Sequence, residues 1–173
     1  ELFEKSIRTL ELPTVLSQLS ACAVSEAARE KCLRTFPATD RDDVVRLLDE
    51  TDAAKERMQL HGAPNFAGVK DVAAALQRAD QGGMLNTREL LDIAGVLTAA
   101  RRVQEYDAER KGEATCIDRL FSAIHTNRYL EDKIHSAILD EESIADSASP
   151  ELSDIRRKMR IAATKGRQIL QKI

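Results

Sequence analysis

The sequence contains no tryptophan, two tyrosines and four phenylalanines. Seven glycines and four prolines in 173 residues are also few. These shortages exclude collagen-like and low-complexity classes and make β-rich folds poor candidates. Three cysteines, Cys22, Cys32 and Cys116, are an odd number with no C-x-x-C spacing, so they form no disulfide framework. They point to a reducing, cytoplasmic setting. No apolar run approaches the roughly 20 residues of a membrane span. No basic stretch precedes an apolar run at the start, so no signal peptide is expected. Charge of one sign is lacking too. Lys and Arg number 26 against 29 Asp and Glu, a formal net charge of −3, which leaves no chain-wide nucleic-acid footprint.

What is present favours helix. Ala, Leu, Arg, Glu and Asp dominate, with 43 % hydrophobic and 32 % charged residues. A chain of this length makes one domain, which would bury roughly 70 % of its unfolded surface if compact. Residues 2–11 form a helical opening with Leu2, Phe3, Ile7 and Leu10 on one face. Pro13 suits the first turn of a second helix, carrying Val15, Leu16, Leu19 and Ala23. Ser25 can cap a third, stopped near Phe36 by Pro37. Thr39 or Asp40 caps a fourth, with Val44, Leu47, Leu48, Thr51, Ala54 and Met58 at helical spacing and Gly62 and Pro64 at its end.

A loop over 63–68 leads to a short helix with Val69, Val72, Ala73 and Leu76, closed by Gly82-Gly83. Asn86 and Glu89 have capping-box spacing, and the helix after them runs to about Lys111 and stops at Gly112. Ile117, Leu120, Phe121 and Ile124 mark a further helix. Leu130, Ile134, Ala137 and Ile138 mark another, with Asn127 as its cap, followed by a solvated acidic connector, Asp140-Glu141-Glu142. No period-2 strand pattern of useful length and no internal repeat is present.

The last helix differs from the rest. Ser149 caps it, Pro150 takes its first position and Glu151 favours its positive end. Leu152, Ile155, Met159, Ala162, Gly166, Ile169 and Ile173 follow one another at steps of 3 and 4, a heptad seam. Its 24 residues would reach about 36 Å, longer than the core of a small bundle. They hold seven basic residues (Arg156, Arg157, Lys158, Arg160, Lys165, Arg167, Lys172) and two acidic ones, a net of +5 against −8 for residues 1–149. A charge run of this kind is either a solvated helix face or a basic strut beside a phosphate backbone. The second reading selects Arg156, Arg157, Lys158 and Arg160 as nucleic-acid contacts. No aromatic lies in this helix, so stacking on bases is not supported. The helical pattern continues to Ile173 without a Gly or Asn stop, which predicts a segment of a longer protein.

Catalytic machinery is not visible. His125 and His135 are ten residues apart and His61 lies near a helix end, so no metal pair is formed on one helix face. There is no H-E-x-x-H, no zinc cysteine pair, no G-x-x-x-x-G-K-[ST] and no G-x-G-x-x-G. Asp42-Asp43 suits a helix N-terminus. No catalytic, cofactor or metal residue is assigned, and a cryptic Cys/His nucleophile ranks below the structural reading of these residues.

The run Ile144-Ala145-Asp146-Ser147-Ala148-Ser149-Pro150-Glu151-Leu152, followed by Ile155-Arg156-Arg157, resembles the MutS family where its helical core passes into the first lever helix. Leu10-Glu11 leading to Leu16-x-x-Leu19 resembles the opening helix of the bacterial second MutS branch, which carries an Smr nuclease domain. Gly82-Gly83-x-Leu85-Asn86-x-x-Glu89-Leu90-Leu91-Asp92-Ile93 resembles a segment of that branch, with Asn86 at the usual Ser, and Ala99-Ala100-Arg101-Arg102 agrees. The resemblance implies an all-α, irregular helical bundle of core/lever type with a long protruding C-terminal helix. It divides the chain into a helical core, 1–149, and a lever helix, 150–173, leading toward a clamp.

It further implies a parent that is a homodimeric ATPase and Smr-type endonuclease using ATP and Mg. Such a parent binds branched DNA, restrains homologous recombination and in some bacteria acts on collided ribosomes. The family's ATP and nuclease motifs match no position here. No membrane and no small-molecule substrate is expected for this segment. The alternative from the residues alone is a helical protein–protein adaptor that pairs through its heptad C-terminal helix.

Overall fold

In the computed structural model, residues 2–109 and 114–171 are described, with side chains from Lys5 onward. The chain is all-α. Its helices are α1 (Leu2–Thr9), α2 (Leu12–Cys22), α3 (Glu26–Leu33), α4 (Arg41–His61), α5 (Ala73–Asp80), α6 (Thr87–Ala108), α7 (Asp118–Ser122), α8 (Arg128–Ala137) and α9 (Pro150–Leu170). A 3-10 turn, Asp146–Ala148, precedes α9. The β-pairing among the described residues is one isolated antiparallel bridge, Ile138 with Ile144.

Local chemistry sets most boundaries. Ser25, Asp40, Asn86, Asn127 and Ser149 each accept a backbone N–H from the first turn of the following helix. Asn86 and Glu89 complete a reciprocal capping box. α1 and α2 are separated by Glu11, which adopts a left-handed φ of 53°. α5 ends in a glycine pair: Gly82 has φ 81°, and the Gly83 N–H donates to the Arg78 carbonyl at 2.8 Å.

Three predicted helices prove shorter. α3 stops at Leu33, three residues before Phe36, with Arg34 as its C-cap. Val69 and Val72 precede α5, where the Asp71 carboxylate accepts the Ala73 N–H at 3.0 Å and sets the start. α7 covers Asp118–Ser122, leaving Ile117 and Ile124 outside. The stop foreseen at Gly112, and Lys111 before it, lie outside the described residues. The acidic connector is exposed to solvent, as expected, and is a turn tied to the body. Glu141 accepts from Thr87 through its carbonyl and from Arg88 through its carboxylate, so it meets the start of α6.

The core is small and centred on α6 and α8. Ile93 and Ala94 of α6 pack with Ile134 and with Ile138 just after α8, flanked by Val72, Leu85, Leu90, Leu91 and Leu97. The loop before α5 closes on α6 at Gly95, where a Cβ would lie 3.1 Å from the Gly68 carbonyl oxygen. α1, α2 and α3 pack on one another. The accessible surface is 13628 Å². A compact monomer of 19.2 kDa exposes roughly 8,400 Å² and its unfolded chain roughly 28,000 Å². About half of the unfolded surface is therefore buried, not the roughly 70 % of a compact domain.

Candidate nucleic-acid interface

α9 leaves the body at a joint built from the segment that precedes it. The Ala145 N–H donates to the Ala137 carbonyl at 2.9 Å, and the Leu139 N–H donates to the Ser143 carbonyl at 3.0 Å. These bonds fasten residues 143–145 to the end of α8. Ser149 then accepts the Leu152 N–H at 3.1 Å, and Pro150 occupies the first turn. The Glu151 carboxyl is held below its usual range by backbone N–H donation and by Ser149, as suits a helix N-terminus.

Asp146 completes the joint. Its two carboxylate oxygens accept from two arginines one turn apart on α9, Oδ1 from Arg156 at 2.5 Å and Oδ2 from Arg160 at 3.0 Å. Arg156 also donates to the Ile144 carbonyl at 2.7 Å. The Arg156 hydrogen bond, then that of Arg160, holds the Asp146 carboxyl below the ordinary aspartate range. Arg157 and Lys158 turn elsewhere. Both pair with Asp154 of the same helix, at 2.5 and 2.8 Å. These cations, at 68 % and 72 % exposure, belong to intrahelical surface pairs, which contribute little.

The four cations chosen from sequence therefore share the base of one helix but not one environment. Arg156 and Arg160 are joined to another element, whereas the pairs of Arg157 and Lys158 lie within α9, and Arg160 is as exposed as Arg157. Among the described residues no acid pairs with Lys165 or Arg167. Beyond Arg156 every described residue of α9 is exposed, with Ile155 at 54 % and Met159 at 65 %. The heptad seam thus stands open. Its last position, Ile173, and the basic Lys172 lie outside the described residues.

Two charged hubs escaped sequence reasoning. Arg57 of α4 is buried, and its guanidinium donates to Asp107 of α6 at 2.7 Å and to Asp118 of α7 at 2.6 Å. It also donates to Thr115 and lies over the Phe121 ring at 4.4 Å. Glu131 of α8 is buried and accepts from Thr98 at 2.7 Å and from Arg101 at 3.0 and 3.1 Å, bonds that lie across to α6. These partners are 30 to 61 residues apart in sequence, and nothing in the local pattern announces them. Among the described residues no group of three or more His, Cys, Asp or Glu side chains could hold a metal ion. No described helix is long and apolar enough to cross a membrane.

Comparison with known proteins bears on what this arrangement serves. The chain is 41 % identical over 159 residues to an endonuclease MutS2 of Ruminiclostridium cellulolyticum, covering 91 % of the chain. It is 34 % identical over 170 residues to that of Pelotomaculum thermopropionicum, covering 98 % of the chain. With that of Bacillus velezensis the identity is 32 % over 171 residues, covering 97 % of the chain. The chain is a MutS2-type segment. It spans about a fifth of the length of these relatives, 20–22 %. No family model matches it. The MutS-like string from Ile144 to Arg157 coincides with the joint that launches α9. The Gly82–Ile93 string coincides with the glycine stop of α5 and the capped start of α6.

Proposed function

We propose that this chain is the helical core, residues 1–149, and the first lever helix, residues 150–173, of a MutS2-type nucleic-acid-handling ATPase. Its work is mechanical. A stiff helix fixed to a small core transmits nucleotide-driven domain rotation to a clamp. The observation that carries this reading is α9, which is held at its base by Asp146 and stands exposed beyond Arg160. The excess of cations on that helix suits it to a phosphate backbone, with Arg156, Arg157, Lys158 and Arg160 as the contacts.

On this reading the whole protein is a cytoplasmic homodimer acting on branched DNA in recombination, and in some bacteria on collided ribosomes. ATP, Mg and nuclease chemistry belong to parts other than this chain, and no residue here is assigned to them. The test is made on the full-length protein. Ala162→Pro interrupts α9 where nothing packs against it. DNA should still bind and ATP should still be hydrolysed, but DNA should no longer change the ATPase rate. Unchanged coupling would overturn the lever reading. Replacing Arg156, Arg157, Lys158 and Arg160 by Gln should weaken branched-DNA binding and flatten its salt dependence.

The exposed seam favours a second reading, a helical adaptor. If the chain dimerises in sedimentation and Ile155→Asp abolishes the dimer, α9 pairs with a partner helix through that seam.

A further inference from the structure

The basic base of α9 is not bare. Arg156 and Arg160 lie one turn apart on one edge of the helix, about 6 Å along the axis, and Arg167 continues that edge two turns on. A single carboxylate from outside the helix accepts from the first two, one oxygen for each guanidinium. A phosphate with two free oxygens would meet two guanidinium groups in the same manner. Asp146 is about half exposed, so solvent and a competing anion can reach it, and the two arginines hold it ionised. Asp154 differs in kind. It lies on α9 itself, and its pairs with Arg157 and Lys158 hold no second element in place.

We infer that the Asp146 carboxylate is an intramolecular stand-in for a nucleic-acid phosphate on the Arg156–Arg160–Arg167 edge of α9, displaced when a phosphate backbone docks there. The inference rests on the reading that α9 faces nucleic acid, and deepens it by naming the edge and its competitor. Displacement exchanges one ion pair for another and frees Asp146 to water. The bond between the 3-10 turn and the helix base is then lost, so docking loosens the joint that sets the direction of α9.

The experiment uses the 173-residue chain and a fluorescent linear DNA duplex, titrated at several salt concentrations. Asp146→Asn and Asp154→Asn each remove one negative charge, so their comparison removes the effect of net charge. Asp146→Asn should tighten binding several-fold more than Asp154→Asn does. Its salt slope should match that of Asp154→Asn, because Arg156 and Arg160 engage phosphate in the unaltered chain as well and the variant removes only their competitor. In an Arg156→Gln, Arg160→Gln background, Asp146→Asn should give no gain beyond that of Asp154→Asn. Amide exchange at Leu152–Arg160 checks that Asp146→Asn leaves α9 helical. In the unaltered chain these amides should exchange faster when DNA is added.

Equal gains from the two Asn variants would overturn the inference. So would an Asp146→Asn gain that persists without the two arginines. In both cases the phosphate-facing reading survives if neutralising all four basal cations still abolishes binding. Absence of salt-dependent binding in every variant overturns that reading as well.

Discussion

Arg57 and Glu131 are charged side chains held inside helical packing, and each is tolerated because every polar direction is answered. Arg57 meets two carboxylates, a hydroxyl and an aromatic face. Removing the cation leaves Asp107 and Asp118 facing each other across its vacated site. Both carboxylates keep about a quarter of their exposure, which moderates the loss. Arg57→Met is expected to cost about 3 kcal/mol in urea unfolding, the lower end for one partner of a buried pair. Arg57→Lys should fall between, because an ammonium lacks the planar fork that reaches both acids.

Glu131 gives a pH dependence with a definite sign. Its carboxyl is held below the usual range chiefly by Arg101, against the opposing effect of burial. A depressed native value contributes stability above the unfolded value of about 4.3 and loses it as pH falls through the native value. Chemical unfolding followed from pH 7 downward should show stability falling below about pH 4.3, and Glu131→Gln should flatten part of that fall.

At the scale of the element, what was legible in the sequence was what is decided within one turn. The caps at Ser25, Asp40, Asn86, Asn127 and Ser149 and the glycine stop at Gly82-Gly83 were readable because each bond closes over two to five residues. The shortened α3, α5 and α7 were not, because helical spacing extends beyond the residues that backbone bonding retains, past the end of α3, before the start of α5 and on both sides of α7. The base of α9 was half legible. Ser149, Pro150 and the cation run stand in the sequence, but the Asp146 fork depends on how the 3-10 turn folds back on the helix.

Ser149→Ala should cost about 1 kcal/mol at the start of α9, seen as faster amide exchange in its first turn. Gly166→Ala should act oppositely. A Cβ there meets nothing within 4 Å, so helicity should rise with a gain of about 1 kcal/mol.

The whole molecule is open rather than rounded. Large apolar residues such as Leu10, Phe36, Leu48, Leu60 and Leu139 are exposed, and the surface exceeds that of a compact chain of this mass by more than half. Because the denaturant slope follows the area newly exposed on unfolding, the urea m-value of the 173-residue chain should be roughly three quarters of that of a compact domain of equal length. Net charge averages away the main division of the molecule. An acidic body of net −8 carries a helix of net +5, and the two meet at Asp146.

That meeting point constrains α9 unevenly. Both arginines that Asp146 holds lie on one edge and within one turn, so the clamp resists roll about the helix axis. It offers little leverage against tilt, because the 21-residue helix extends about 31 Å from a footing only about 6 Å long. A change in tilt of about 10° at the footing moves the far end by about 5 Å, while the carboxylate shifts by about 1 Å. Azimuth is therefore written into the joint, and elevation is left to whatever presses on the free end.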